Sequence, residues 1–214
     1  MLLSMFTMWE LSFQQISKSN DERNMIGHFL TLSAFFDFAN VGEELFRSFL
    51  SREGLIPQWI GLFTSSNAWD QYKYQDIIVE LLSLSLLQNV NVGSTESRFS
   101  LHPLVADWLK LRTDEQDRQA YVLEALTALT EYINTTDLDM FSFQARQDLL
   151  SHMDMCLQSE HEYIELSGSA VASSGDPAFA FAWFYARQGR YKDASILYQR
   201  ALAVYEKALG LEHI

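Results

Sequence analysis

The stretch Tyr185–Leu209, YARQGRYKDASILYQRALAVYEKAL, decides the fold class. Ala182, Ala194 and Ala201 are small residues spaced where two helices must approach closely, and Tyr185, Tyr191 and Tyr198 are placed to fill the gaps between them. Gly189 falls in the turn between the two helices. These seven are the expected packing positions of one helical repeat. A helix pair of this kind cannot bury its apolar face alone and must be stacked on neighbours. Its polar edge is basic: Arg187, Arg190, Lys192 and Arg200 are candidate protein-binding residues, suited by sign to an acidic peptide. The same signs also suit a different role, docking onto the acidic segment just upstream.

That segment carries nearly all the excess charge. The chain's net charge is −13, divided as −4 over residues 1–112, −11 over 113–176 and +2 over 177–214. An acidic surface repels phosphate backbones, so nucleic acid is not an expected partner. A composition 48% hydrophobic and 14% aromatic, with three prolines in 214 residues, belongs to a folded chain. The single cysteine, Cys156, excludes an internal disulfide framework and suits a reducing, cytoplasmic location. The opening MLLSMFTMW is apolar, yet it lacks a basic flank and a small-residue cleavage site, so neither a signal peptide nor a membrane span is expected.

Upstream, helical periodicity dominates. The spacing predicts helices over 22–36 (capped by Asn20 or Asp21), 42–50, a short one with Pro57 at its first position, and 70–86 using Tyr74, Ile77, Ile78, Leu81, Leu82 and Leu84. Leu87, Val90 and Val92, the turn residues Asn91, Gly93 and Ser94, and the return run Arg98–Leu101 predict a β-hairpin, the one stretch with a clear strand pattern. Pro103 then fits the N1 position of a helix to Arg112, with His102 near its N-cap. Further helices are expected over 115–133, 142–158, 160–173, 177–188 and 191–208, with a break at Ser173–Pro177.

Helix, helix, two-stranded wing, helix is the order of a winged-helix domain. The expected architecture is mainly α: a winged helix over 5–112, a helical spacer over 113–176 and one tetratricopeptide-like repeat over 177–214. Three segments resemble one family, the NB-ARC proteins. These are nucleotide-switch ATPases of the STAND class that include fungal NOD-like receptors and plant resistance proteins. MWELSFQQI (8–16) and FLTLSAFFDFANVGEELF (29–46) resemble the start of their winged helix. RFSLHPLVADWLKLR (98–112) resembles its end, where the family carries a Met-His-Asp motif. ALAVYEKALGLEHI (201–214) resembles a kinesin-light-chain-type repeat reaching its Leu-Gly-x-Glu-His signature.

The resemblance implies that His102 contacts the β-phosphate of bound ADP in a longer parent protein. Here, however, the motif reads Leu101–His102–Pro103, with proline in place of aspartate. No GxxxxGK[ST] phosphate loop is present in these 214 residues, so no cofactor is expected of the chain itself, and His102 reads first as a helix cap.

No catalytic residues emerge, since there is no GxSxG elbow and Glu43–Glu44 and Asp137–Asp139 read as helix-start or loop residues. The set His152, Asp154, Cys156 and His161 lacks zinc spacing, and no metal is expected. The function implied is a non-enzymatic regulatory and protein-interaction module, with self-association through the exposed repeat face. The alternatives are a piece of a complete STAND ATPase with nucleotide switching upstream, and a winged-helix DNA binder offering Lys110 and Arg112.

Overall fold

A computed structural model describes residues 2–16, 18–51, 56–92, 97–137, 139, 141–165 and 175–209. Helices predominate: α1 (Leu2–Gln14), α2 (Asn20–Ser33), α3 (Glu43–Arg47), α4 (Gln71–Ser83), α5 (Pro103–Leu111), α6 (Glu115–Thr135), α7 (Phe143–Glu160), α8 (Gly175–Arg187) and α9 (Tyr191–Leu209). Among the strands, β1 (Val41–Gly42), β4 (Gln88–Val92) and β5 (Ser97–Ser100) form a three-stranded antiparallel sheet in the order β1-β5-β4. The hairpin expected from sequence is β4–β5, with Asn91 opposite Arg98; its turn residues Gly93 and Ser94 lie outside the described residues. The sheet's third strand was not foreseen: Val41 and Gly42 pair with Phe99 and Arg98.

A second hairpin, β2 (Thr64–Ser65) with β3 (Ala68–Trp69), lies beyond what the sequence pattern predicts. Its two-residue turn, Ser66–Asn67, has φ of 52° and 62°, the left-handed geometry that matches strand twist in a tight hairpin.

Several helix ends differ from expectation for local reasons. The cap of α2 is Ser19, not Asn20 or Asp21: its hydroxyl accepts the Glu22 N–H at 3.3 Å while the Glu22 carboxylate accepts the Ser19 N–H at 3.1 Å. The helix expected over 42–50 tightens into a 3₁₀ turn at Ser48–Ser51, and Pro57 precedes a 3₁₀ helix, Gln58–Phe63, as its cap. α4 stops at Ser83, leaving Leu82 40% exposed, and the chain turns at Ser85 (φ 58°) to bury Leu86 and Leu87 instead. The helix expected over 160–173 is, as far as Glu165, a π-helical continuation of α7; the rest lies outside the described residues.

The first half closes over an aromatic core. Phe29 of α2 is fully buried, with ring centroids 4.7 Å from Phe46, 5.0 Å from Phe63 and 5.8 Å from Phe99. Each such ring contributes about 2–3 kcal/mol by burial. Glu43 and Glu44, read as helix-start residues, do open α3, and they are buried there. Glu43 accepts the Trp69 indole N–H at 2.6 Å and the Ser97 N–H at 3.2 Å, and Glu44 pairs with Arg98 at 2.7 Å.

α6 joins the two halves. It packs on α2 and α3 on one side and on α7 and α8 on another. Its buried residues, from Val122 round to Ala128 and Thr130, occupy roughly half its circumference. The Glu124 carboxylate accepts the Trp59 indole N–H at 2.8 Å and meets His28 Nε2 at 2.7 Å. One apolar core therefore runs across the expected boundaries at 112/113 and 176/177.

Candidate interaction face

The helix pair α8–α9 turns at Gly189, whose φ of +77° suits a residue without a side chain. The Arg190 N–H returns to the Tyr185 carbonyl at 2.9 Å, satisfying an end-of-helix acceptor. Ala182, Ala194 and Ala201 are buried to 0%, 2% and 2% exposure, as their spacing predicts for a close helix contact. Tyr185 is buried against α7, its hydroxyl donating to Asp154. Burial, then the hydrogen bond to the Asp154 carboxylate, push that phenol far above its ordinary pKa.

Tyr191 departs from the expected packing role: it is 73% exposed. With Ala186, Ala194, Ser195, Tyr198, Gln199 and Leu202 it lines an open groove of about 330 Å³ on the outer side of the pair. Tyr198 is half-buried, its ring meeting that of Phe179 of α8 edge-on with centroids 5.7 Å apart. Phe179 and Trp183 are partly exposed beside it. The outward surface of this rung is thus apolar and aromatic.

Three of the four basic candidates are engaged with the acidic segment. Arg187 pairs with Asp139. Arg190 grips both oxygens of Asp154 at 2.9 and 2.8 Å, donates to Asp193 at 2.8 Å and lies 4.2 Å over the Tyr185 ring. Arg200 reaches Glu160, which is 2% exposed. Lys192 alone of the four is exposed with no ion pair among the described residues. The complementary charges of the two segments therefore pair with each other within the chain, while the groove on the other side stays apolar.

His102 caps α5, its Nδ1 accepting the Leu104 N–H at 3.2 Å with Pro103 in the first turn. The two cations considered for DNA are both engaged within the chain. Lys110 lies 5.1 Å over the Phe35 ring, and burial holds its ammonium below the ordinary range. Arg112 stacks on Phe13 and Trp108 at 4.4 and 4.8 Å and pairs with Glu10 at 3.1 Å. The helix that precedes the β4–β5 hairpin is α4, not α5, and its outer face presents Tyr72, Asp76, Val79 and Leu82; its one cation, Lys73, donates to the Thr64 carbonyl at 2.8 Å.

His152 and Cys156 are structural. His152 Nδ1 accepts the Asp37 N–H at 3.0 Å, and burial lowers its pKa to about 4. The Cys156 thiol donates to the Phe35 carbonyl at 3.4 Å, and burial pushes it far up. Asp154 is taken by Arg190 and Tyr185, and no group of three or more potential metal ligands converges among the described residues. No catalytic constellation is found there, and no described helix is long and apolar enough to cross a membrane.

Comparison with known proteins places a family on the end of the chain alone. Residues 180–214 match the family model described as a tetratricopeptide repeat. No curated protein and no solved structure matches the chain. Its C-terminal helix pair is thus a tetratricopeptide-type repeat in a mainly α-helical fold, a motif that points to protein–protein contacts.

Proposed function

We propose that the chain is a non-catalytic regulatory and protein-interaction module, in which a winged-helix unit is joined through α6–α7 to one tetratricopeptide rung that receives a protein partner. The observation that carries this reading is the seating of α8–α9. Its charged edge is spent on α7 and the loop before it, whereas its aromatic groove faces outward. A rung fixed on one side and apolar on the other is arranged to take an amphipathic helix. The order of α2, β1, α3, α4, β4–β5 and α5 supports the winged-helix reading of the first unit. Together with the resemblance at 8–16, 29–46 and 98–112, it supports a likeness to the regulatory part of NB-ARC switch ATPases. Under that reading, nucleotide switching and any ADP contact by His102 belong to a phosphate-loop domain in a longer protein, and the location is cytoplasmic.

An array of amphipathic helical peptides probed with the full chain tests this. The expected outcome is binding that Leu202→Asp abolishes and Val79→Asp leaves unchanged. No binding, or equal loss in both variants, overturns it. Titration with ADP and a low-salt gel shift with duplex DNA serve as opposing arms: micromolar ADP binding would favour a nucleotide site within this chain, and a shifted duplex would favour a DNA binder.

A further inference from the structure

The outer face of α9 carries both halves of a charge pair. At 3.6 residues per turn, Tyr191, Tyr198 and Leu202 fall on one narrow stripe. Lys192 and Glu206 lie on the same flank of that stripe, and their separation along the axis is about 21 Å at ~1.5 Å per residue. Neither has an ion-pair partner among the described residues, although Arg187, Arg190 and Arg200 of the same repeat are all paired. The stripe between them is apolar, with Tyr191 73% and Leu202 48% exposed, and Phe179 and Trp183 of α8 extend it. A contiguous aromatic patch of this kind is unusual on a surface that meets only water.

We propose that this face docks against the same face of a second copy, the two α9 helices running antiparallel about a two-fold axis near Gln199. The inference rests on the reading of the repeat as an interaction surface. A two-fold axis perpendicular to both helices brings Lys192 of one copy level with Glu206 of the other, and symmetry makes the contact twice. The Tyr198 rings meet close to the axis, and Leu202 comes level with Ser195 and Ile196 of the other copy. A parallel pairing would carry the charged flank of one copy to the opposite side of the contact from that of the other, leaving Lys192 and Glu206 unpaired with the helix dipoles aligned, so the charges select the antiparallel register. An unrelated partner would have to supply the complementary charges itself, whereas a second copy already carries both.

Sedimentation equilibrium of the full chain, from low micromolar to several hundred micromolar, tests the proposal, with circular dichroism confirming helix content in each variant. The expected result is a reversible dimer. Lys192→Glu and Glu206→Lys should each weaken it by about tenfold or more, because each creates two like-charge contacts. The double variant K192E/E206K should restore it. A chain monomeric at every concentration overturns the proposal. A dimer insensitive to both single changes also overturns it, since its contact lies elsewhere, and so does a dimer that the double variant fails to restore. A monomer that still binds amphipathic peptides in a Leu202-dependent way refutes the dimer and leaves the interaction reading standing.

Discussion

Arg200 of α9 closes on the carboxylate of Glu160 at the end of α7, two guanidinium nitrogens on two oxygens, and Glu160 is only 2% exposed. A planar guanidinium matches a carboxylate in this way, and an ammonium does not. Removing the arginine leaves a buried carboxylate without its counter-charge. Arg200→Ala is therefore expected to cost about 3 kcal/mol, the low end for a broken buried pair because the arginine itself is 27% exposed. Arg200→Lys should recover only part of the loss. Urea unfolding followed by circular dichroism measures both, and equal stability of all three chains would remove the pair from any role in seating the repeat.

His152 makes stability pH-dependent, and the sign follows from its burial. Desolvation, partly offset by the nearby Asp37 and Asp148 carboxylates, lowers its folded pKa from 6.5 to about 4. The unfolded chain then binds a proton that the folded chain refuses. Nothing is lost above pH 6.5. As pH falls from 6.5 towards 4 the folded state loses about 3 kcal/mol, at ~1.4 kcal/mol per pKa unit. His152→Gln keeps an acceptor for the Asp37 N–H and cannot titrate. Its unfolding free energy should accordingly fall less steeply than the wild type's over this window. Parallel profiles for the two chains would show that other groups set the acid limit.

The residues of the repeat differ in how well sequence locates them. The spacing of Ala182, Ala194 and Ala201 depends only on helical period, and all three are buried. Tyr191 has the same spacing logic yet is 73% exposed, because periodicity assigns a residue to a face without saying whether a neighbour covers it. The arginines posed a related problem. Net charges of −11 over 113–176 and +2 over 177–214 show that the segments attract. Arg190 and Asp154, however, are 36 positions apart, and Arg200 and Glu160 are 40 apart, so only tertiary packing decides between pairing within the chain and a groove rim.

Local chemistry was more legible. His102 and Pro103 mark the start of α5, and the hairpin at 88–100 follows from alternation and turn residues. The Ser66–Asn67 turn leaves no sequence pattern because its strands are two residues each, too short to show a period. Ser19 rather than Asn20 or Asp21 is the cap, and Glu22 three residues on completes its capping box.

Gly189 has open space around the position a Cβ would take, with nothing within 4 Å. Any cost of replacing it is therefore conformational, arising from its φ of +77°. Gly189→Ala is expected to destabilise the chain by about 1–2 kcal/mol, and Gly189→Asn by less, since asparagine tolerates the left-handed region better. Thermal unfolding ranks the three. Alanine equal to glycine would mean that the turn re-forms with a negative φ.

The continuity of the core through α6 leads to a prediction about where the chain can be cut. Residues 1–112 hold the aromatic core, but Trp59 and His28 both end on Glu124, and Ser48 donates to the carbonyls of Leu45 and Ala128. Val122, Ala125, Leu126 and Leu129 of α6 are buried to 1% exposure or less. A fragment ending at Arg112 loses these partners and uncovers the apolar surface beneath them. It is expected to unfold at markedly lower urea than a fragment ending at Thr135, with tryptophan fluorescence reporting the loss. In the longer fragment, Glu124→Ala should shift the midpoint back part of the way, because it removes the acceptor of the indole N–H and leaves that donor unpaired. If both fragments unfolded at the same midpoint, α6 would belong with the helices that follow it, and the first unit would end at Arg112.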